Sequence, residues 1–425
     1  MSQIVEQLKS LLGADNVITK DMTKYLRGGE QPAAVACPGT GEEVAALVKA
    51  AADAGVKVNV GGAVVDTTGL SGGIAVVMKR MNKILEIDRN NLTCWVQPGM
   101  PHKEFCDALL KEGLYFPPEP YAVSTSSVAG CIGIGDPDSK AFKYMPPRTY
   151  IIAYEMVLPT GEPMKIGSKC IKCVSGLDLI HFIAGTRATL GIFTKILVKL
   201  QPAPVCRSIV LADLPNITTA AKAFLSIQKR RLFVSRENAI TNKLGQHIWS
   251  GAKGAVAFVD IEEFPKANVE YAKIVEAELK IAGATATKII SDEKEYASAE
   301  LGWLKAREAV NLTDKKVRFT VGASNVVKGL DAAKGVVGAL EDGEFALIEA
   351  QLGKVTVASA NPEADAVKLN KAAMPLGGNV SGLLGSKLRC DEYSDQAMFD
   401  NITQLLHNIR KEFDPKGILA PGIQF

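Results

Sequence analysis

The chain has 425 residues, 47% of them hydrophobic and 22% charged, with a formal net charge of +3 at pH 7. A charge so near neutral, with no block of like charges, argues against nucleic acid as a partner. No apolar run approaches the roughly 20 residues of a spanning helix, and Met1–Glu6 lacks the basic and apolar regions of a secretory signal, so the expectation is a cytoplasmic chain without a membrane span.

Ile4, Leu8, Leu11 and Leu12 recur at helical spacing and predict an amphipathic helix over residues 3–12. A β–α–β unit follows, with strands at Ala33–Cys37 and Val56–Val60 around a helix at Gly41–Ala54 that carries Val44, Leu47, Val48 and Ala51 on one face. Thr40 is placed to cap that helix and Gly55 to stop it. The turn Gly61-Gly62-Ala63-Val64 then leaves the second strand. Glycines here let backbone N–H groups approach a phosphate where a Cβ would obstruct, and an ordinary strand-to-strand turn is the alternative.

Strands are expected at Ala75–Met78 and Thr93–Val96, the latter leading into Gln97-Pro98-Gly99. A helix ends within Leu109–Leu114 and the proline-rich stretch Tyr115–Pro120 follows. Small and hydroxylated residues dominate the loop Ser124–Gly135, which suits a diphosphate by close approach and by donors. Cys170-x-x-Cys173 is the close pair among eight cysteines; without a second cluster a metal or redox centre is not indicated there. An apolar run containing His181, read as a packed core histidine, breaks at Ala184-Gly185-Thr186, turns again at Gly191 and leaves as an alternating strand from Ile192 to Leu200. His407, on a helix over Leu405–Arg410, is read in the same way. From Cys206 onward, helices at Ala221–Gln228 and Asn268–Ala282 alternate with strands at Ala255–Ile261, Thr285–Ser291, Val317–Val321 and Ala346–Ala350, which predicts a second α+β core.

The order and spacing of these features from Pro32 to Pro202 resemble the FAD-binding fold of the vanillyl-alcohol-oxidase superfamily, PCMH-type, in its glycolate oxidase and D-lactate dehydrogenase branch. The residues that carry the likeness are Met81-Asn82, Gln97-Pro98-Gly99, Val157–Glu162, Lys172, Ser175–Leu179, Thr189-Leu190-Gly191-Ile192 and the final Phe413-Asp414-Pro415-Lys416-Gly417-Ile418. The resemblance implies an α+β protein: a two-subdomain FAD-binding domain over 1–205, an α+β cap over 206–404 and a tail at 405–425 that packs back on the first domain. It implies FAD as cofactor, held by Gly61, Gly62, Ala63, Val64, Pro118, Ser126, Ser127, Gly130, Cys131, Gly133, Gly191 and Ile192.

The chain also departs from that family. Val60 stands where an arginine is usual, Ala63 where a third glycine is usual, and Gly185-Thr186-Arg187-Ala188 replaces Gly-Ser-Glu-Gly. The cap motif that supplies two histidines reads Glu349–Thr356 here and contains none, Leu383-Leu384 takes the place of a Glu-His pair, and Val321–Asn325 lacks the expected arginine. Leucine neither ligates a metal nor moves a proton. The expectation is therefore a flavoprotein without a metal site, closer to the second FAD-binding subunit of glycolate oxidase complexes. Its expected partners are a second flavoprotein or an iron–sulfur subunit, with a small 2-hydroxy or 2-oxo acid as substrate. An independent flavin dehydrogenase with another substrate, or a scaffold subunit that has lost flavin, are the alternatives. Arg187 and Arg307 remain as cations for a substrate, a partner or plain packing.

Overall fold

The computed structural model describes residues 2–170, 176–341, 343–380 and 396–423. They divide between two compact units: Met1–Asp138, Pro146–Ala203 and Tyr393–Phe425 form the first, Ser139–Met145 and Pro204–Glu392 the second. Ser139–Met145 joins the second unit because Lys140 Nζ lies 2.8 Å from Glu262 Oε1 and Lys143 Nζ lies 2.8 Å from Glu263 Oε1. The helix Gln396–Phe413 belongs with the first unit, where Ile409 and Phe413 pack on its core.

The first unit contains two principal sheets. In one, Val17–Ile18, Ala34–Ala36, Ile74–Val77 and Val58–Gly61 lie side by side in that order, parallel except for the first pairing. The helix Gly41–Ala54 begins where Thr40 Oγ1 accepts from Glu43 N and ends at Gly55, whose φ of 64° is left-handed. Its apolar face packs with Ile4, Leu8 and Leu12 of the helix Ser2–Leu12. Leu11, expected inside, is 41% exposed because the buried stripe runs through Ile4, Val5, Leu8 and Leu12.

The other sheet is antiparallel, in the order Pro163–Gly167, Ile151–Val157, Ile192–Lys199, Thr93–Val96 and Ile84–Asp88. Alternation along Ile192–Lys199 sends Ile196 and Val198 to one cluster and Leu197 to another, the period-two pattern legible in the sequence. The terminal segment extends the first sheet: Val58 N donates to Ile418 O at 2.8 Å and Ala420 N donates to Val58 O at 2.9 Å.

The second unit is built on an eight-stranded sheet running from Ala286–Ile290 through Cys206–Leu214, Ala255–Glu263, Arg236–Ile240, Ala346–Glu349, Lys354–Ala358 and Lys316–Thr320 to Asn379–Val380. Neighbouring residues of one strand face opposite sides. Val210 joins a core shared with the helices Ile217–Lys229, Pro265–Ile281, Val326–Val337 and Pro362–Ala373, and Leu211 joins one shared with Trp303 of the helix Glu293–Leu312. Among the described residues no helix is long and apolar enough to cross a membrane.

Candidate cofactor site

The strand Val58–Gly61 ends in the first glycine turn, and that turn rests directly on the second. A Cβ on Gly62 would stand 2.5 Å from Ser127 Oγ, and one on Gly61 would stand 2.1 Å from Val64 O, so neither position admits a side chain without movement. Ala63 at the crest is exposed and Val64 half-buried. Asn59 Nδ2 donates to Asp66 O at 2.7 Å and Thr67 N donates to Arg27 O at 2.8 Å, which closes the turn at its base.

The segment read as a second loop contains a short helix, Val128–Ile134. Serine, glycine and cysteine are poor helix formers, yet the Ser127 side chain accepts from Gly130 N and Val128 and Ile132 are buried in the core. Cys131 is buried, with its thiol donating to Glu119 O at 3.4 Å, and a Cβ on Gly133 would meet nothing within 4 Å. The third segment closes on this helix: Gly185 N donates to Ile132 O at 3.1 Å, Arg187 N donates to Gly133 O at 3.0 Å, and a Cβ on Gly135 would stand 2.9 Å from Gly185 Cα.

Pro118 and Ser126 are joined by a residue that sequence reasoning did not single out. His102 opens the helix His102–Lys111; its Nε2–H donates to Pro118 O at 2.8 Å and its backbone N donates to Ser126 O at 3.0 Å. Burial pushes the imidazole down to about 4, the Pro118 bond opposing part of that shift. Further side chains hold the same proline loop: Asp138 Oδ2 accepts from Glu119 N at 3.0 Å, and the Cys106 thiol donates to Phe116 O at 3.8 Å.

Gly62, Ser126, Ser127, Gly130, Cys131, Gly133 and Pro118 are thus brought into one neighbourhood by tertiary contacts. A Cβ on Gly191 would meet Met156 Cε at 1.9 Å, and the Ile192 side chain lies in the core with Val157. The arrangement fits a diphosphate-bearing cofactor on two grounds. Glycines provide close backbone approach, and the buried Nε of Arg187 has no hydrogen-bond partner. Burial lowers the Arg187 guanidinium, opposed by Tyr121, Asp136 and Asp66.

Two readings of histidine are corrected. His181 is 44% exposed at its side chain, because Asp178 caps the short helix Leu179–Ile183 and draws Nδ1 outward to 2.7 Å from its Oδ2. His407 is likewise exposed on its helix. Lys172, Cys173, Ser175, Leu383 and Leu384 lie outside the described residues.

In the second unit, the stretch without histidines places Glu349 between two cations. Its Oε1 lies 3.3 Å from Arg307 Nε and its Oε2 lies 3.3 Å from Lys354 Nζ, all three residues being buried. Among the described residues, no group of three or more His, Cys, Asp or Glu is placed to hold a metal ion.

Residues 32–167 match a family model described as an FAD binding domain. An FAD-linked oxidoreductase of Mycobacterium tuberculosis is 29% identical over 470 residues, covering 100% of this chain and 99% of its own. Glycolate oxidase subunit GlcD of Bacillus subtilis is 38% identical over 156 residues, which cover 37% of this chain and 33% of that protein. Among solved structures, p-cresol methylhydroxylase with substrate bound superposes with a TM-score of 0.72 at 18% identity, over 100% of this chain and 97% of that chain. That likeness shows the fold, which is α+β and PCMH-type. The Gly61–Val64 turn, Pro118 and Ser126–Gly133 lie inside the matched range 32–167; Arg187, Gly191 and Ile192 lie beyond it.

Proposed function

We propose, from the premise that residues 32–167 are an FAD binding domain, that this FAD-linked oxidoreductase of the glycolate oxidase and D-lactate dehydrogenase type is the electron-transferring subunit of a 2-hydroxy-acid dehydrogenase complex and works without a metal. Bound FAD supplies hydride and electron exchange; the chain supplies the grip. Gly61, Gly62 and the Ser126–Gly133 segment would hold the diphosphate through backbone amides and hydroxyls, and Pro118 would present a rigid edge whose carbonyl His102 keeps in place.

The observation that carries the reading is Glu349. A carboxylate already paired with Arg307 and Lys354 is a poor ligand for a divalent ion, since both lone-pair edges face fixed positive charge. The same stretch offers no imidazole to take the proton of a substrate hydroxyl. A second flavoprotein or an iron–sulfur subunit is the partner this reading requires, with a lactate- or glycolate-like acid as the substrate of the assembly.

The test starts with the visible spectrum of the purified chain, which should show bound flavin. Under anaerobic conditions D-lactate or glycolate should leave that flavin oxidised in the isolated chain. It should be reduced once a co-purifying partner is present, and prior dialysis against EDTA should not change the rate. Rapid bleaching by either acid in the isolated chain would overturn the subunit role. Loss of turnover with EDTA and recovery with a divalent ion would overturn the metal-free reading.

A further inference from the structure

We propose that Arg187 is the cation that binds the diphosphate of FAD, an assignment that rests on the reading that the three gathered segments hold this cofactor. The turn Val60–Val65 carries no basic residue, so a cation that adds to its backbone amides comes from another segment. Arg187 lies in the segment whose backbone is bonded to Gly133 and whose Gly185 touches Gly135, at the far end of the helix that Ser127 begins.

Its own geometry points the same way. Arg187 and Ala188 have φ of 52° and 63°, consecutive left-handed conformations at residues with side chains, strain that persists where the surroundings impose it. The buried Nε has no hydrogen-bond partner, and among the described residues the guanidinium makes no hydrogen bond or ion pair. A planar fork of donors whose Nε is buried and unpartnered, with Tyr121, Asp136 and Asp66 in electrostatic reach, matches the paired oxygens of a diphosphate.

The experiment is a titration of apo-protein with FAD, read by flavin fluorescence, on the wild-type chain and on Arg187→Met, Arg187→Gly and Arg187→Lys, with riboflavin as the phosphate-free probe. Met and Gly should each weaken FAD binding by about tenfold or more, the scale of a charge-assisted hydrogen bond, and Lys should recover part of the loss. Riboflavin should bind all four alike. The Gly variant relieves the left-handed backbone, so its apo-form should unfold at the same or a higher urea concentration than wild type, which separates lost affinity from a damaged fold. Unchanged FAD affinity in the Met and Gly variants overturns the assignment. So does an equal loss for riboflavin. A wild-type chain that binds no flavin overturns the underlying reading as well.

Discussion

His102 does two jobs at once: its ring holds the Pro118 carbonyl and its amide holds Ser126. Neither was legible beforehand. A lone histidine one residue after Gly99-Met100-Pro101 carries no signal about which carbonyl it will meet, because the partner is sixteen positions away and reached through packing. Gly61 and Gly62, by contrast, announce themselves, since absence of a Cβ is a property of the residue and not of its neighbours. The burial of His102 sets a pH dependence whose sign is fixed. An imidazole lowered from 6.5 to about 4 is protonated in the unfolded chain first. Stability is therefore full above about pH 6.5 and declines as pH falls from there towards 4, by on the order of 3 kcal/mol over the whole window. Urea unfolding of apo-protein at pH 7.0 and at roughly pH 4.5 should show a smaller acid loss in His102→Gln than in wild type. Parallel losses in the two proteins would remove His102 as the source.

At the scale of elements, the capped helix Gly41–Ala54 follows its sequence cues at both ends, and the strand Ile192–Lys199 follows its alternation. The helix Val128–Ile134 does not advertise itself, because seven residues with two glycines have little propensity of their own and depend on a cap and a buried face. The segment Ser139–Met145 is the clearest case of long-range control. Lys140, 3% exposed at its side chain, sits 2.8 Å from Glu262 and 3.6 Å from both Asp260 and Glu300, with Arg236 Nη1 3.0 Å from Asp260 Oδ2. Burial raises the Glu262 carboxyl, and the charges of Lys140 and Arg236 outweigh that and hold it low. Replacing Lys140 by Met should cost about 3–5 kcal/mol, since it strands a buried carboxylate. A drop in the urea midpoint measures this; an unchanged midpoint would mean that water already screens the cluster.

For the whole molecule, the end of the chain completes the first unit. Besides the bonds to Val58, Lys57 Nζ donates to Gly417 O at 2.6 Å, Arg410 Nη2 donates to Leu419 O at 2.7 Å, and Asp414 accepts from Ile418 N and Leu419 N. A chain stopped at Phe413 loses these and the burial of Ile418 and Leu419 and should be less stable by roughly 3–6 kcal/mol, taking each side chain at its usual burial worth. Chemical unfolding of the two lengths would show it, and matching midpoints would make the tail an ornament.

What the amino-acid order determined alone was local: which residues lack a Cβ, which stretches alternate, where a helix is capped, and which proton-handling side chains the Glu349–Thr356 stretch does not contain. What tertiary structure decided was company. It set Gly62 against Ser127, gave Lys140 to the second unit, turned His181 outward and left the buried Nε of Arg187 without a hydrogen-bond partner. The reason is physical: a residue's conformational range is its own, whereas its burial and its hydrogen-bond partners belong to segments that meet only after the chain has folded.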